Sequence, residues 1–140
     1  MKGPTLAKVA DRCAGGLFLL NGLGFGIPAI IGAAHRARTG TTWTLMGFPA
    51  YETYGPFNAV GLQISPALMA GFAAVCAVEV AAGVLLLVPT TAGRVIAVAS
   101  VPLGAVYWAG FALPFAPPLA AGGLVLLLVS RSLRTAKRVR

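Results

Sequence analysis

Long apolar stretches, broken by short polar or proline-rich segments, set the pattern of this chain. Cys13 to Ala34 runs 22 residues without a charge, and three further stretches follow: Pro66 to Val88, Val95 to Phe111 and Leu119 to Val129. A helix that crosses the hydrocarbon core of a bilayer needs about 20 mostly apolar residues. The pattern therefore predicts transmembrane helices over 13–34, 66–88, 95–111 and 119–129, the last short enough to be little tilted or to sit where the bilayer is thinned. The punctuation agrees: Pro66 opens the second span and Pro89 follows its end, positions where proline suits a helix start and a helix stop. Thr90 to Arg94 forms a tight polar turn, and Leu113 to Pro118, with three prolines, forms another. Pro28 is expected to bend the outer third of the first span.

Between the first two spans lies Thr39 to Ser65, with Trp43, Phe48, Tyr51, Tyr54 and Phe57 set among glycines and prolines. Aromatic residues among backbone breakers suit an interfacial loop or a short helix at headgroup depth. The expected architecture is thus all-α: an integral membrane four-helix bundle, one domain over 1–140, with an aromatic-rich interfacial loop between spans 1 and 2. No internal repeat of solenoid or inverted-transporter length is visible.

Composition restricts the solvent. The chain is 58% apolar and 10% charged, with mean hydropathy +0.86, so it lacks the polar side chains that would cover a soluble core of this size. The net charge of +8 does not indicate nucleic acid, because the basic residues gather at the ends instead of along a face. Lys2, Lys8 and Arg12 open the chain, and Arg131, Arg134, Lys137, Arg138 and Arg140 close it. With Arg94 they make nine of the eleven Lys and Arg residues on one side of a four-span topology, against Arg36 and Arg38 on the other. The positive-inside rule then places both termini in the cytoplasm, in a multi-pass protein of the plasma membrane whose basic flanks meet anionic headgroups. The first apolar stretch is longer than a secretory h-region of about 7 to 15 residues and has no A-x-A-like site after it, so it reads as a retained span. Neither a myristoylation start nor a prenylation end is present.

Glu79 is the one charged side chain inside a predicted span. An ionised carboxylate in mid-helix costs roughly 2.5 to 3.5 kcal/mol on insertion scales, so it must face the bundle, be protonated or be paired. It is either a carboxyl that ties helices together or a group that handles protons or ligands. Asn21 is its expected partner, since helical rise puts both roughly 12 to 14 Å from the same side of the membrane. Gly22 and Gly26 form a GxxxG step beside Asn21, and Ala82 and Gly83 lie one turn from Glu79, so the two helices can approach closely. Tyr107 and Trp108 belong to an aromatic belt or form the wall of a site for a flat apolar ligand such as a quinone, whose outer mouth Glu52 would line if it is more than a solvated loop acid. Cys13 and Cys76 differ in depth by roughly 18 Å, too far for a disulfide, which needs Cα atoms within about 7 Å. His35, the lone histidine, stands beside Arg36 and suits a headgroup contact better than a metal site. No phosphate-binding loop, dinucleotide fingerprint, haem-attachment motif or nucleophile elbow occurs, and no self-contained catalytic constellation is visible.

The order of these features resembles the DoxX-like family of small four-helix membrane proteins. The matching pieces are Arg12 followed by CAGGLFLLNGLG, the Gly-Phe-Pro-Ala-Tyr stretch at 47–51, the segment VEVAAGVLLLVP with Glu79 and Gly83, and a turn with Arg94 before the third span. Where the family pattern commonly has two adjacent glycines, this chain has Ala82 and Gly83. The resemblance implies a role beside membrane redox chemistry, with quinone-linked oxidation of sulfur compounds or oxidative-stress complexes as its setting and a quinone as the cofactor class. It reaches Glu79, Gly83 and Arg94 and identifies no catalytic residue. The expected function is an accessory or structural subunit of a redox or envelope complex, with membrane lipids and other membrane subunits or a second copy as partners and no nucleic acid. The alternative is a small proton-coupled transporter acting as a homodimer through Glu79.

Overall fold

The computed structural model describes residues 6–45, 48–49 and 55–138. Four long helices carry the fold: α1 (Leu6–Thr39), α3 (Pro66–Leu87), α4 (Thr91–Gly110) and α5 (Ala116–Arg138). The connection after α1 contains an antiparallel pair of two-residue strands, β1 (Thr44–Leu45) and β2 (Phe48–Pro49), and a single-turn helix, α2 (Pro56–Ala59). Each long helix is long and apolar enough to cross a membrane, and only 28–33% of the most apolar window of each is buried inside the bundle. Large apolar side chains such as Leu20, Ile30, Val98 and Leu128 point outward and are more than half exposed, which places them against lipid. The chain is a small multi-pass integral membrane protein.

Local chemistry sets the helix ends. Ser65 caps α3 by accepting a hydrogen bond from the Leu68 N–H at 3.2 Å, with Pro66 at the first helical position. Thr90 caps α4 in the same way through Gly93 N–H at 3.0 Å. At the other end of α4 the chain turns through Ala112 at φ 54°, while Leu113 N–H reaches back to the Trp108 carbonyl at 2.8 Å. That closure is the usual left-handed helix stop, here made by an alanine where glycine is commoner.

The helices extend beyond the apolar stretches that mark them in sequence. α1 begins at Leu6, not Cys13, and ends at Thr39, not Ala34; at 1.5 Å per residue its 34 residues measure about 51 Å, well over the hydrocarbon thickness. The fourth span is not short: α5 has 23 residues, from Ala116 to Arg138. Pro117 and Pro118 fall in its first turn, where a missing N–H breaks no helical hydrogen bond. Beyond Val129 the helix continues because its polar residues bond to α1, with the Ser130 hydroxyl donating to the Ala7 carbonyl at 3.0 Å. Membrane hydropathy marks where lipid begins and ends, which is a different boundary from the end of a helix.

Packing runs in the order α4, α3, α1, α5. α1 packs most extensively on α3 and then on α5, and α3 packs on α4, whereas α4 and α5 touch only sparsely. The α1–α3 contact is backbone-close. A Cβ at Gly83 would meet the Gly15 carbonyl oxygen at 2.8 Å and the Leu19 backbone nitrogen at 2.9 Å, and one at Gly22 would meet the Cys76 carbonyl oxygen at 2.7 Å. The GxxxG step is thus used within the chain. One apolar cluster, including Ala14, Phe18, Leu86 and Leu127, fills the half of the bundle nearer the termini. A second, including Met69, Phe72, Cys76, Trp108 and Phe111, fills the other half.

Two outcomes follow from this arrangement. In a Cys13→Ser background, single cysteines at 91 and 137 should react with an impermeant thiol reagent from one side of the membrane and a cysteine at 45 from the other; labelling of all three from one side would contradict the helix order. Gly83→Ala should destabilise the bundle by about 1–3 kcal/mol through overpacking, read as a lower midpoint of thermal unfolding in mild detergent.

Candidate functional site

Two buried carboxyl groups distinguish the interior. Glu79, on the buried face of α3 with Cys76 and Gly83, is 1% exposed, and Asn21, on the face of α1 that also holds Phe18 and Gly22, is fully buried. The Asn21 Nδ2 donates to Glu79 Oε2 at 3.0 Å, so the structure brings these two residues together across the α1–α3 interface. Asn21 Oδ1 and Glu79 Oε1 have no hydrogen-bond partner. Both are acceptors while the carboxyl is ionised, and a proton on Glu79 would turn its oxygen into a donor. The glycine contacts at Gly22 and Gly83 lie one residue from Asn21 and one turn from Glu79, and they close the interface around the pair.

The second acid is Asp11, which is fully buried near the terminal end of α1. Arg94, in the first turn of α4, grips it with two hydrogen bonds: Nε to Oδ1 at 3.3 Å and Nη2 to Oδ2 at 3.0 Å. Arg134, near the end of α5, donates from Nη2 to Oδ2 of the same carboxylate, and its Nε donates to the Ser130 hydroxyl at 3.3 Å. The flanking Arg12 donates from Nε to the Leu87 carbonyl at 3.2 Å, satisfying one of the open carbonyls at the end of α3. One carboxylate therefore joins α1, α4 and α5, and the adjacent arginine adds α3.

Asp11 is absent from the candidates read from the sequence, because it lies outside the charge-free stretch that marks the first span. A usable sign does exist: Ala7, Asp11, Ala14 and Phe18 recur at helical spacing, so the acid sits on the face that turns inward. In sequence Arg94 reads as a basic flank and carries part of the family resemblance; its contact with a buried acid is additional.

The aromatic residues of α4 are not a belt facing lipid. Trp108 is 4% exposed and continues the inward stripe of Ala97, Ser100 and Gly104. Tyr107 is half-buried and stacks on Phe72, with ring centroids 5.4 Å apart and planes at 25°, and Phe57 meets its edge at 6.0 Å. Helical periodicity turns these rings onto α2, α3 and α5, which overrides the preference of isolated aromatic side chains for the interface. Glu52, with Tyr51 and Tyr54, lies outside the described residues. Cys13 is exposed, Cys76 is buried, and both thiols are free. His35 lies with Nε2 at 3.1 Å from the Thr41 hydroxyl, where it helps fasten the loop to the end of α1. Among the described residues no three His, Cys, Asp or Glu side chains gather where a metal could bind.

Open space lies elsewhere, along the seam between α4 and α5. A cavity of about 440 Å³ near the proline-rich turn is walled by Trp108, Leu113, Pro117 and Leu124 among other apolar residues. A larger one, of about 920 Å³, occupies the half nearer the termini and has Arg94, Arg131 and Arg134 in its wall. Neither cavity is lined by Glu79 or Asn21. Comparison with models of known protein families, with curated proteins and with solved structures gave no match.

The two acids should respond differently to neutralisation. Asp11→Asn leaves two guanidinium groups facing a neutral amide and should cost about 3 kcal/mol, toward the lower end for breaking a buried pair because both arginines keep part of their surface in solvent. Glu79→Gln keeps the shape and a polar group against Asn21 and should cost below about 1 kcal/mol. Unfolding of both variants in mild detergent tests the order, and an equal or reversed ranking would refute it.

Proposed function

We propose that the protein is an accessory subunit of a membrane redox assembly of the DoxX-like kind, with both termini in the cytoplasm. The supporting observation is the separation of its buried acid from its open space. Proton-coupled carriage needs a membrane carboxyl at a cavity that a substrate can enter, whereas Glu79 is enclosed between α1 and α3 and the seam cavities lie between α4 and α5. Glu79 and Asn21 act here as a polar tie that fixes the rotation of α3 against α1.

The cavity beside the proline-rich turn suits contact with a flat apolar ring. Trp108 supplies an aromatic surface in an otherwise apolar wall. A quinone delivered from the bilayer or held by a partner subunit is the ligand class this wall accommodates, and the electron-transfer chemistry belongs to that partner.

Mild-detergent purification of the full chain from its native membrane, with identification of bound proteins and extraction of bound quinone, tests the reading. Co-purification of an oxidoreductase subunit, retained in Glu79→Gln, is the expected result. Isolation as a homodimer that drives proton-coupled uptake in liposomes, with uptake lost in Glu79→Gln, would establish the transporter instead.

A further inference from the structure

We infer that the half of the α4–α5 seam nearer the termini is a binding site for one anionic phospholipid, its phosphate at Arg131 and Arg134 and an acyl chain lying along the groove. The inference is independent of any partner subunit. Charge is the first argument. Arg94, Arg131 and Arg134 stand in the wall of the same groove, and Asp11, which Arg94 and Arg134 share, compensates one of the three. Glu79, the other described acid, is in the middle of α3. The groove therefore keeps an excess of positive charge on guanidinium groups that are partly exposed, with side chains of Arg94 and Arg134 at 24% and 39%. Guanidinium pairs bind phosphate oxygens through parallel N–H donors, and Thr91 adds a hydroxyl at the same end.

Depth is the second argument. Below the arginines the wall becomes apolar, with Val95, Val98, Leu127 and Leu128, and Leu124 then lines both this cavity and the one beyond it. Along α5 the distance from Arg131 to Leu124 is about 10 Å, and from Arg131 to Pro117 about 21 Å. An acyl chain in one leaflet spans half of a hydrocarbon core of about 30 Å, so a head at Arg131 puts its chain end within the seam. Val95, Val98 and Leu128 at the rim are each more than half exposed, which leaves the groove open sideways to the bilayer. A soluble phosphate would use the arginines and leave the apolar length unfilled; a lipid fills both.

Native mass spectrometry of the full chain, exchanged into detergent with added phosphatidylglycerol or phosphatidylethanolamine, tests the site. One phosphatidylglycerol per chain should survive gas-phase activation that strips phosphatidylethanolamine. Arg131→Gln, which leaves the Asp11 contacts intact, should lower retention of phosphatidylglycerol about fivefold. Ala99→Trp adds an indole at an exposed position in the groove wall, and it should abolish retention with the arginines unchanged. Circular dichroism confirms that each variant is folded, and if one is not, the other decides. Equal retention of the two lipids, full displacement by inorganic phosphate, or wild-type retention in Ala99→Trp would overturn the proposal. So would a dimer in the spectrum that Ala99→Trp disperses, since a second copy would then fill the seam.

Discussion

Between helices already in lipid, burial of apolar surface supplies no driving force, because the alternative neighbour is as apolar as the partner helix. Everything in this bundle depends on what α1 offers in its place: a long face of small residues for close contact, with two polar groups set into it. Gly15, Gly22 and Gly83 bring the α1 and α3 backbones together, and Asn21 adds a directional bond to Glu79 that fixes their rotation. Asp11 does the same for α4 and α5 at the terminal end. The order of packing follows: α3 and α5 lie against the helix that carries the small face and both polar anchors, and α4 packs on α3 while its Arg94 reaches Asp11.

The Asp11 cluster also accounts for the seam. α4 and α5 have little direct contact, yet each sends an arginine to the same carboxylate on α1. Joined through a third helix, the pair is held near one end at a spacing set by two long side chains instead of by interlocked apolar residues. The gap that remains runs from the arginines to the proline-rich turn, and Leu124 lines it on both sides of its midpoint. A salt bridge at the end of the bundle thus produces an opening along its flank.

Much of this was legible in the chain. Uninterrupted apolar runs gave four spans and their punctuation, and helical rise alone matched the depth of Asn21 to that of Glu79, which the structure joins at 3.0 Å. What escaped has a common physical origin. Hydropathy sees transfer from water to lipid, so it stopped the first helix at Cys13 and the fourth at Val129, although polar residues that find partners continue both. Asp11 escapes hydropathy for the same reason: its desolvation is offset by arginines 83 and 123 positions away in sequence, partners that its helical spacing does not reveal. Trp108 and Tyr107 carry the composition of a belt, but their facing depends on which side of α4 meets α3 and α5, a property of the assembled bundle.

The placement of polar groups separates two kinds of role. Where a polar pair is enclosed by backbone-close contacts, as at Glu79 and Asn21, its hydrogen bond lies within the helix–helix interface. Where cationic groups exceed their internal partner and border an open apolar groove, as at Arg94, Arg131 and Arg134, their remaining hydrogen-bonding capacity is directed outward. The first arrangement resists change at the centre of the fold, and the second offers charge and apolar surface together on a side that faces the bilayer. Binding at that side requires no opening of the α1–α3 core, so the chain can engage a lipid or a neighbouring subunit while the interface that orders it stays closed.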